Sequence, residues 1–157
     1  MVLRALIDEK DNPDLRDGAK RILRSTNGKP VDVCHVAIGE AFSTIAESDE
    51  RNTDDCCDAM REFRLMLRSS SLRLCGLHDG KGTHELALRL HKEDPQLESN
   101  DGLIIANALL CKECSVFYTN DKVPLYSTTI QEIAQEFKTK IIDVPVRDTN
   151  ARRRKRF

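Results

Sequence analysis

Short apolar runs of strand length alternate, along nearly the whole chain, with longer stretches in which apolar residues recur every three or four positions. That alternation constrains the fold more than any single motif. The strand-like runs are residues 2–7, 31–36, 72–77, 116–118 and 140–144. Between them, amphipathic helices are expected over 14–24 (Leu15, Ala19, Ile22, Leu23), 38–47 (Ile38, Ala41, Phe42, Ile45) and 54–68 (Cys56, Met60, Phe63, Leu67). A further helix capped by Thr83 turns Leu86, Ala87 and Leu90 inward, and the last, opened by a Thr128/Gln131 capping box, carries Ile130, Ile133, Ala134 and Phe137. A strand followed by a helix and another strand closes most readily as a right-handed parallel crossover. The expected fold is therefore α/β, with a central, mostly parallel, five-stranded sheet covered on both faces.

The segment 99–122 repeats this pattern with chemistry at both ends. Ser99 is a suitable N-cap, Asp101 falls in the first helical turn where the helix dipole favours an anion, and residues 103–110 are apolar nearly all round. After a short turn, Val116-Phe117-Tyr118 suits a buried parallel strand, and Asp121 follows it. Ligands of open α/β sheets bind at the carboxyl ends of the strands. Asp8 after the first run, Glu40 in the helix after the second, Asp101 and Asp121 can therefore converge at one sheet edge. Hard oxygen ligands packed together repel one another unless neutralised, which suits Mg²⁺ or Mn²⁺. One or two such ions, roughly 4 Å apart where there are two, activate water and stabilise the leaving oxygen in phosphodiester hydrolysis. On an ideal helical wheel, however, Glu40 points away from the apolar face, and pattern alone makes it solvated.

The chain is 157 residues long, enough for one core: a single domain is expected over 1–146, with a tail at 147–157. The tail carries Arg147, Arg152, Arg153, Arg154, Lys155 and Arg156 against Asp148, a sum of +5 beside −6 for the rest of the chain. Such a run is either a solvated terminus or an arm that binds RNA phosphates without regard to sequence. No apolar run approaches the ~20 residues that span a membrane, and Met-Val-Leu-Arg-Ala-Leu-Ile-Asp turns acidic too soon for a signal peptide. No membrane partner and a cytoplasmic location are expected.

The six cysteines (34, 56, 57, 75, 111 and 114) fall mainly inside apolar patterns, as reduced core thiols do. Cys111-Lys-Glu-Cys114 has metal-ligand spacing but no second Cys-x-x-Cys or paired histidine motif to complete it. His35, His78, His84 and His91 are scattered and expected at the surface. Gly80-Lys81-Gly82 lacks the flanks of a phosphate loop and is expected to be a turn. Asn100, Thr119 and Asn120 adjoin the acids, where they can support them by hydrogen bonds or act only as cap and turn residues.

Asp101-Gly-Leu-Ile-Ile-Ala-Asn-Ala resembles the Asp-Ala-x-Ile-x-Ala-x-Ala helix of the PIN domains. Thr119-Asn-Asp121-Lys resembles that family's Thr-x-Asp-x segment, Glu40 matches its helix-borne glutamate, and Asp8, ending the first run, matches its first acid. The likeness covers roughly residues 3–144. It implies a PIN-like three-layer fold and a Mg²⁺- or Mn²⁺-dependent ribonuclease with Asp8, Glu40, Asp101 and Asp121 as catalytic and metal-binding acids. It further implies RNA as substrate and, after the VapC toxins, a homodimer held by an antitoxin protein of a toxin-antitoxin pair. The family's first motif is usually Asp-Thr-Asn, whereas this chain has Asp8-Glu9-Lys10 and then a short charged loop. The first ligand is thus Asp8, or Asp11, or the site is one acid short. In the last case the chain is a PIN-like module that binds RNA or protein without cleaving.

Overall fold

The computed structural model describes residues 13–25, 31–47, 52–68 and 72–144. The first expected strand, with Asp8 and Asp11, and the basic tail, with Arg152, Arg153, Arg154, Lys155 and Arg156, lie outside the described residues. In chain order the elements are α1 (Pro13–Ser25), β1 (Val31–Cys34), α2 (His35–Ala46), α3 (Thr53–Arg68), β2 (Leu72–Cys75), α4 (Gly80–Glu93), α5 (Ser99–Leu110), β3 (Val116–Thr119), α6 (Lys122–Tyr126), α7 (Thr128–Glu136) and β4 (Lys140–Asp143).

The fold is α/β, and its strands pair in parallel. Among the described residues there are four strands in two separate two-stranded sheets, β1 with β2 and β3 with β4, in place of one five-stranded sheet. Three of the four strands are also shorter than their apolar runs, whereas β3 runs one residue past its own, to Thr119. Helix α2 begins at His35, immediately after Cys34, and so takes Val36 out of the strand. Likewise β2 stops at Cys75, before Gly76 and Leu77. Register in the first pair is marked by Asp32 facing Arg73, whose guanidinium donates to the two carboxylate oxygens at 2.6 and 2.8 Å. The second pair is tied at both ends: Lys140 N donates to Ser115 O at 3.0 Å and Val144 N to Thr119 O at 3.1 Å.

Two cores hold these pairs. The larger gathers Leu86, Leu90, Leu97, Ile105, Leu109, Ile130, Ile133 and Ile141 from α4, α5, α7, β4 and the α4–α5 loop. The smaller packs Val33, Ala41 and Ile45 of β1 and α2 against Cys56 and Met60 of α3. Helix α5 is apolar nearly all round and is buried along most of its length, as its composition requires. Its one fully polar buried side chain, Asn107, accepts from His78 N at 2.7 Å and donates to Cys75 Sγ at 3.8 Å, fixing the chain beyond β2 to the helix.

Three helix caps differ from expectation. Ser99, expected as the N-cap of α5, is its first residue, and Glu98 holds the cap position without a side-chain hydrogen bond. Thr83 is no cap: α4 begins at Gly80 behind Asp79, which has φ 70°, so Gly80-Lys81-Gly82 forms the first helical turn and Thr83 is wholly buried within it. The cap of α7 is Ser127, whose Oγ accepts from Ile130 N at 3.4 Å. Gln131, expected to close a box with Thr128, instead donates to the carbonyls of Pro124 (3.0 Å), Leu125 (3.3 Å) and Ile141 (3.5 Å). Between the two sheets lies a groove of about 360 Å³, bordered by β1 and β3 and floored by Ile104, Asn107 and Ala108 of α5 and by Cys111 just after it.

Candidate metal centre

Parallel strands put the starts of the elements that follow β1 and β3 at the carboxyl ends of their pairs, and there the start of α5 joins them, so that three of the four singled-out acids border one space. Glu40 comes from α2, which follows β1 without a break; Asp101 is in the first turn of α5; Asp121 follows β3 directly. All three line one cavity of about 800 Å³, together with Asn100 and Asn120. Glu40 is half-buried there and not solvated as the helical wheel predicts, because the face of α2 opposite the core is the face that borders the cavity.

Asp121 is held by its neighbours on both sides. Its backbone N–H donates to the hydroxyl of Thr119 at 3.0 Å, and one carboxylate oxygen accepts from Val123 N at 2.9 Å, capping α6. Thr119 is fully buried, so the hydroxyl that anchors this turn does not exchange its partner for water. One Asp121 oxygen serves the helix cap, and the carboxyl also shares a hydrogen bond with Asp101. Asn100 and Asn120 border the same space.

Asp101 carries the electrostatic signature of the cluster. Burial, then the nearby charges of Glu40 and Asp121, a hydrogen bond with the Asp121 carboxyl and the charge of Glu98 together push its carboxyl from 3.8 up to about 7. Each cause disfavours the second or third negative charge in a partly dry place. At neutral pH the cluster therefore stands near the point where a proton is held, and a cation would relieve the same repulsion. The donor set, carboxylates with amide and hydroxyl oxygens around them, is that of hard divalent ions.

The acids share the cavity without closing on one point. Among the described residues no group of three or more His, Cys, Asp or Glu side chains is arranged to hold a metal ion. Two further acids, Glu47 and Glu98, which no motif singles out, border the cavity, with Lys122 as a cation beside them. Glu47 lies two helical turns after Glu40, and that spacing of seven is the signal that places it on the same face. Glu98 immediately precedes α5, at the N-cap position, where acids are favoured.

No protein-family model, curated protein or solved structure matches the chain.

The six cysteines are free thiols. Cys34 and Cys111 are buried, and burial pushes the Cys75 and Cys114 thiols up to about 11, which leaves them protonated and unreactive at neutral pH. All four histidines are exposed and stand away from the carboxylates' cavity. No helix among the described residues is long and apolar enough to cross a membrane.

Proposed function

We propose that the chain is a metal-dependent endoribonuclease of the PIN type, a three-layer α/β domain whose central sheet has five strands. The observation that carries the reading is the convergence of Glu40, Asp101 and Asp121 on one cavity, with the Asp101 carboxyl raised to about 7 by burial and by its acidic neighbours. Acids are not gathered in this way to stabilise a fold, because mutual repulsion costs stability; perturbed groups of this kind mark functional sites. Glu40, Asp101 and Asp121, with Asp8 as the fourth, are the residues that would hold Mg²⁺ or Mn²⁺. The ion would supply positive charge and a more acidic water for attack on a phosphodiester.

The chain's own groups then have distinct tasks. Thr119 fixes the turn that aims Asp121, Asn100 and Asn120 offer hydrogen bonds at the cavity wall, and Lys122 supplies a cation for the RNA phosphate among five lining carboxylates. The basic residues Arg152, Arg153, Arg154, Lys155 and Arg156 add affinity for RNA that does not depend on its sequence. A cytoplasmic homodimer acting as the toxin of a toxin-antitoxin pair, with an antitoxin protein as partner, completes the proposal.

Calorimetric titration with Mn²⁺ in a buffer free of citrate and phosphate tests the site. Binding by the wild type and its loss in Asp101→Asn are expected; no binding by the wild type would overturn the metal site. A second reading, a PIN-like module that binds RNA or protein without catalysis, is favoured by the departure of the first motif, Asp8-Glu9-Lys10, from Asp-Thr-Asn. Metal binding without cleavage of any RNA would select it.

A further inference from the structure

We propose that Cys34 and Cys75 form a reversible disulfide, and that closing it weakens cation binding in the acidic cavity by shifting the helix that carries Glu40. The second half rests on the metal reading of that cavity; the first stands without it.

Register brings the two thiols together. Strands β1 and β2 run parallel, with Cys34 directly facing Cys75 at the carboxyl end of the pair. Residues that face one another in a sheet project their side chains to the same side, and neighbouring strands stand about 4.8 Å apart. That spacing lies inside the window of roughly 4.4–6.8 Å between Cα atoms in which a disulfide closes. Both thiols border the same groove, and the ring of His35, the residue after Cys34, donates through Nδ1 to the carbonyl of Cys75 at 2.7 Å. The two strand ends are thus already tied. The electrostatics agree with the register: after burial, the nearby Cys34 thiol is the largest influence pushing the Cys75 thiol up to about 11. Among the described residues no other two cysteines face one another in paired strands. Cys56 Sγ donates to Ile45 O at 3.3 Å, Cys57 is exposed, and Cys111 and Cys114 share one turn, in which Cys114 N donates to Cys111 O at 2.9 Å.

The chemistry is a two-electron exchange with a low-molecular-weight disulfide such as oxidised glutathione. Cys75 is half-buried and Cys34 buried, so the Cys75 thiolate attacks first. Its sulfur bonds to one glutathione sulfur, the glutathione S–S bond breaks, and the other half leaves as a thiolate that takes up the proton Cys75 gave up. The Cys34 thiolate then attacks the Cys75 sulfur of the mixed disulfide, and the second glutathione leaves with the second proton. Two protein thiols are oxidised, and one glutathione disulfide is reduced to two thiols. The proton that Cys75 holds at neutral pH makes the exchange slow there and faster as the pH rises.

Closing the bond moves the elements that carry the acids. Bonded sulfurs stand about 2.0 Å apart, far inside the contact distance of two separate thiols, so the ends of β1 and β2 are drawn together. Cys34 is the N-cap residue of α2, so the start of that helix follows, and Glu40 lies in its second turn. On the other side, the Cys75 sulfur is the one to which Asn107 donates at 3.8 Å, and Asn107 belongs to α5, whose first turn holds Asp101. A constellation of ligands tolerates displacements of only about 0.5 Å.

The test uses the full, unsubstituted chain, incubated with oxidised glutathione at about pH 8.5, alkylated at its remaining thiols and digested without reductant for mass spectrometry. The expected result is a pair of peptides linked through Cys34 and Cys75, which dithiothreitol separates. A link between Cys111 and Cys114 in its place, or glutathione left on Cys75 beside an alkylated Cys34, would overturn the disulfide. Calorimetric titration with Mn²⁺ then compares the reduced chain with the oxidised, glutathione-free chain, both cleared of dithiothreitol. Binding should be on the order of tenfold weaker after oxidation, the low end of what disturbing the support of a metal ligand costs. Equal affinity in the two forms would overturn the coupling. A reduced chain that binds no Mn²⁺ would remove the metal reading and the coupling with it, and the disulfide would stand on the linked peptides.

Discussion

Replacing Asp101 by Asn removes the carboxyl that the cluster presses hardest, and the consequence for stability can be worked out. A carboxyl at about 7 in the folded chain and near 3.8 when unfolded means that, between those two pH values, the folded state binds the extra proton. Stability therefore falls as pH rises from about 4 through about 7, and the penalty is complete above that. The gap of about three pH units corresponds to at most ~4 kcal/mol, and solvent screening of a side chain only partly buried reduces it to ~1–2 kcal/mol. Asp101→Asn keeps the shape and loses the charge. Relative to wild type, in EDTA, it should be about equal in stability at pH 4 and ~1–2 kcal/mol more stable at pH 8, a melting temperature higher by about 3–6 °C for a chain of this size. Mn²⁺ at millimolar concentration should raise the wild-type melting temperature at pH 8 and leave Asp101→Asn nearly unmoved. Thermal melts followed by circular dichroism at the two pH values, with EDTA and with Mn²⁺, measure all of this. A variant equally or less stable than wild type at pH 8, with no gain over its pH 4 value, would refute the electrostatic reasoning.

Three further outcomes are expected. Asn107→Ala strips the partner from the part-buried His78 N–H and leaves a small void at a buried position, and should cost ~1–3 kcal/mol in chemical denaturation. Gly102→Ala should stabilise the chain by ~0.5–1 kcal/mol, since a Cβ there would meet Ala87 O at an ordinary 3.5 Å and helical glycine is entropically costly; a loss in the same denaturation assay would show α4 and α5 to be packed more tightly. Deleting residues 151–157 should weaken RNA binding and flatten its dependence on salt in fluorescence anisotropy, and an unchanged slope would make the tail a bystander.

The alternation of strand-like and helical patterns is legible because burial imposes it: Val33, Ile45, Leu90 and Ile105 are apolar where the cores lie. Boundaries are less legible. Val36 and Leu77 are as apolar as their strands, but α2 begins at His35 with no side-chain cap to announce it, and Gly76 ends the other run. Glu40 shows a deeper limit. Hydrophobic periodicity tells which face of α2 enters the core, and the opposite face is called solvent unless it is known that the starts of α5 and α6 come round to meet it. Asp101 and Asp121 were legible because their positions relative to an apolar helix and strand fix them at the sheet's end. Glu98 and Glu47 were not, because nothing in their own neighbourhoods separates them from other surface acids. Thr83 reads as a cap in the sequence because a hydroxyl before an apolar run fits two situations, and only the backbone at Asp79 decides between them.

The most direct measurement is cleavage of a mixed RNA pool by the wild type, Asp101→Asn and Asp121→Asn, each with Mn²⁺, with Mg²⁺ and with EDTA. Asn caps a helix as well as Asp does, so α6 survives the second substitution and lost activity cannot be put down to lost structure. The expected result is cleavage by wild type that EDTA abolishes and that both variants lose by more than the roughly 10–100-fold that losing an outer-shell partner of a ligand costs. Cleavage that persists in EDTA, or variants as active as wild type, would contradict the assignment of these carboxylates to a metal-dependent nuclease site.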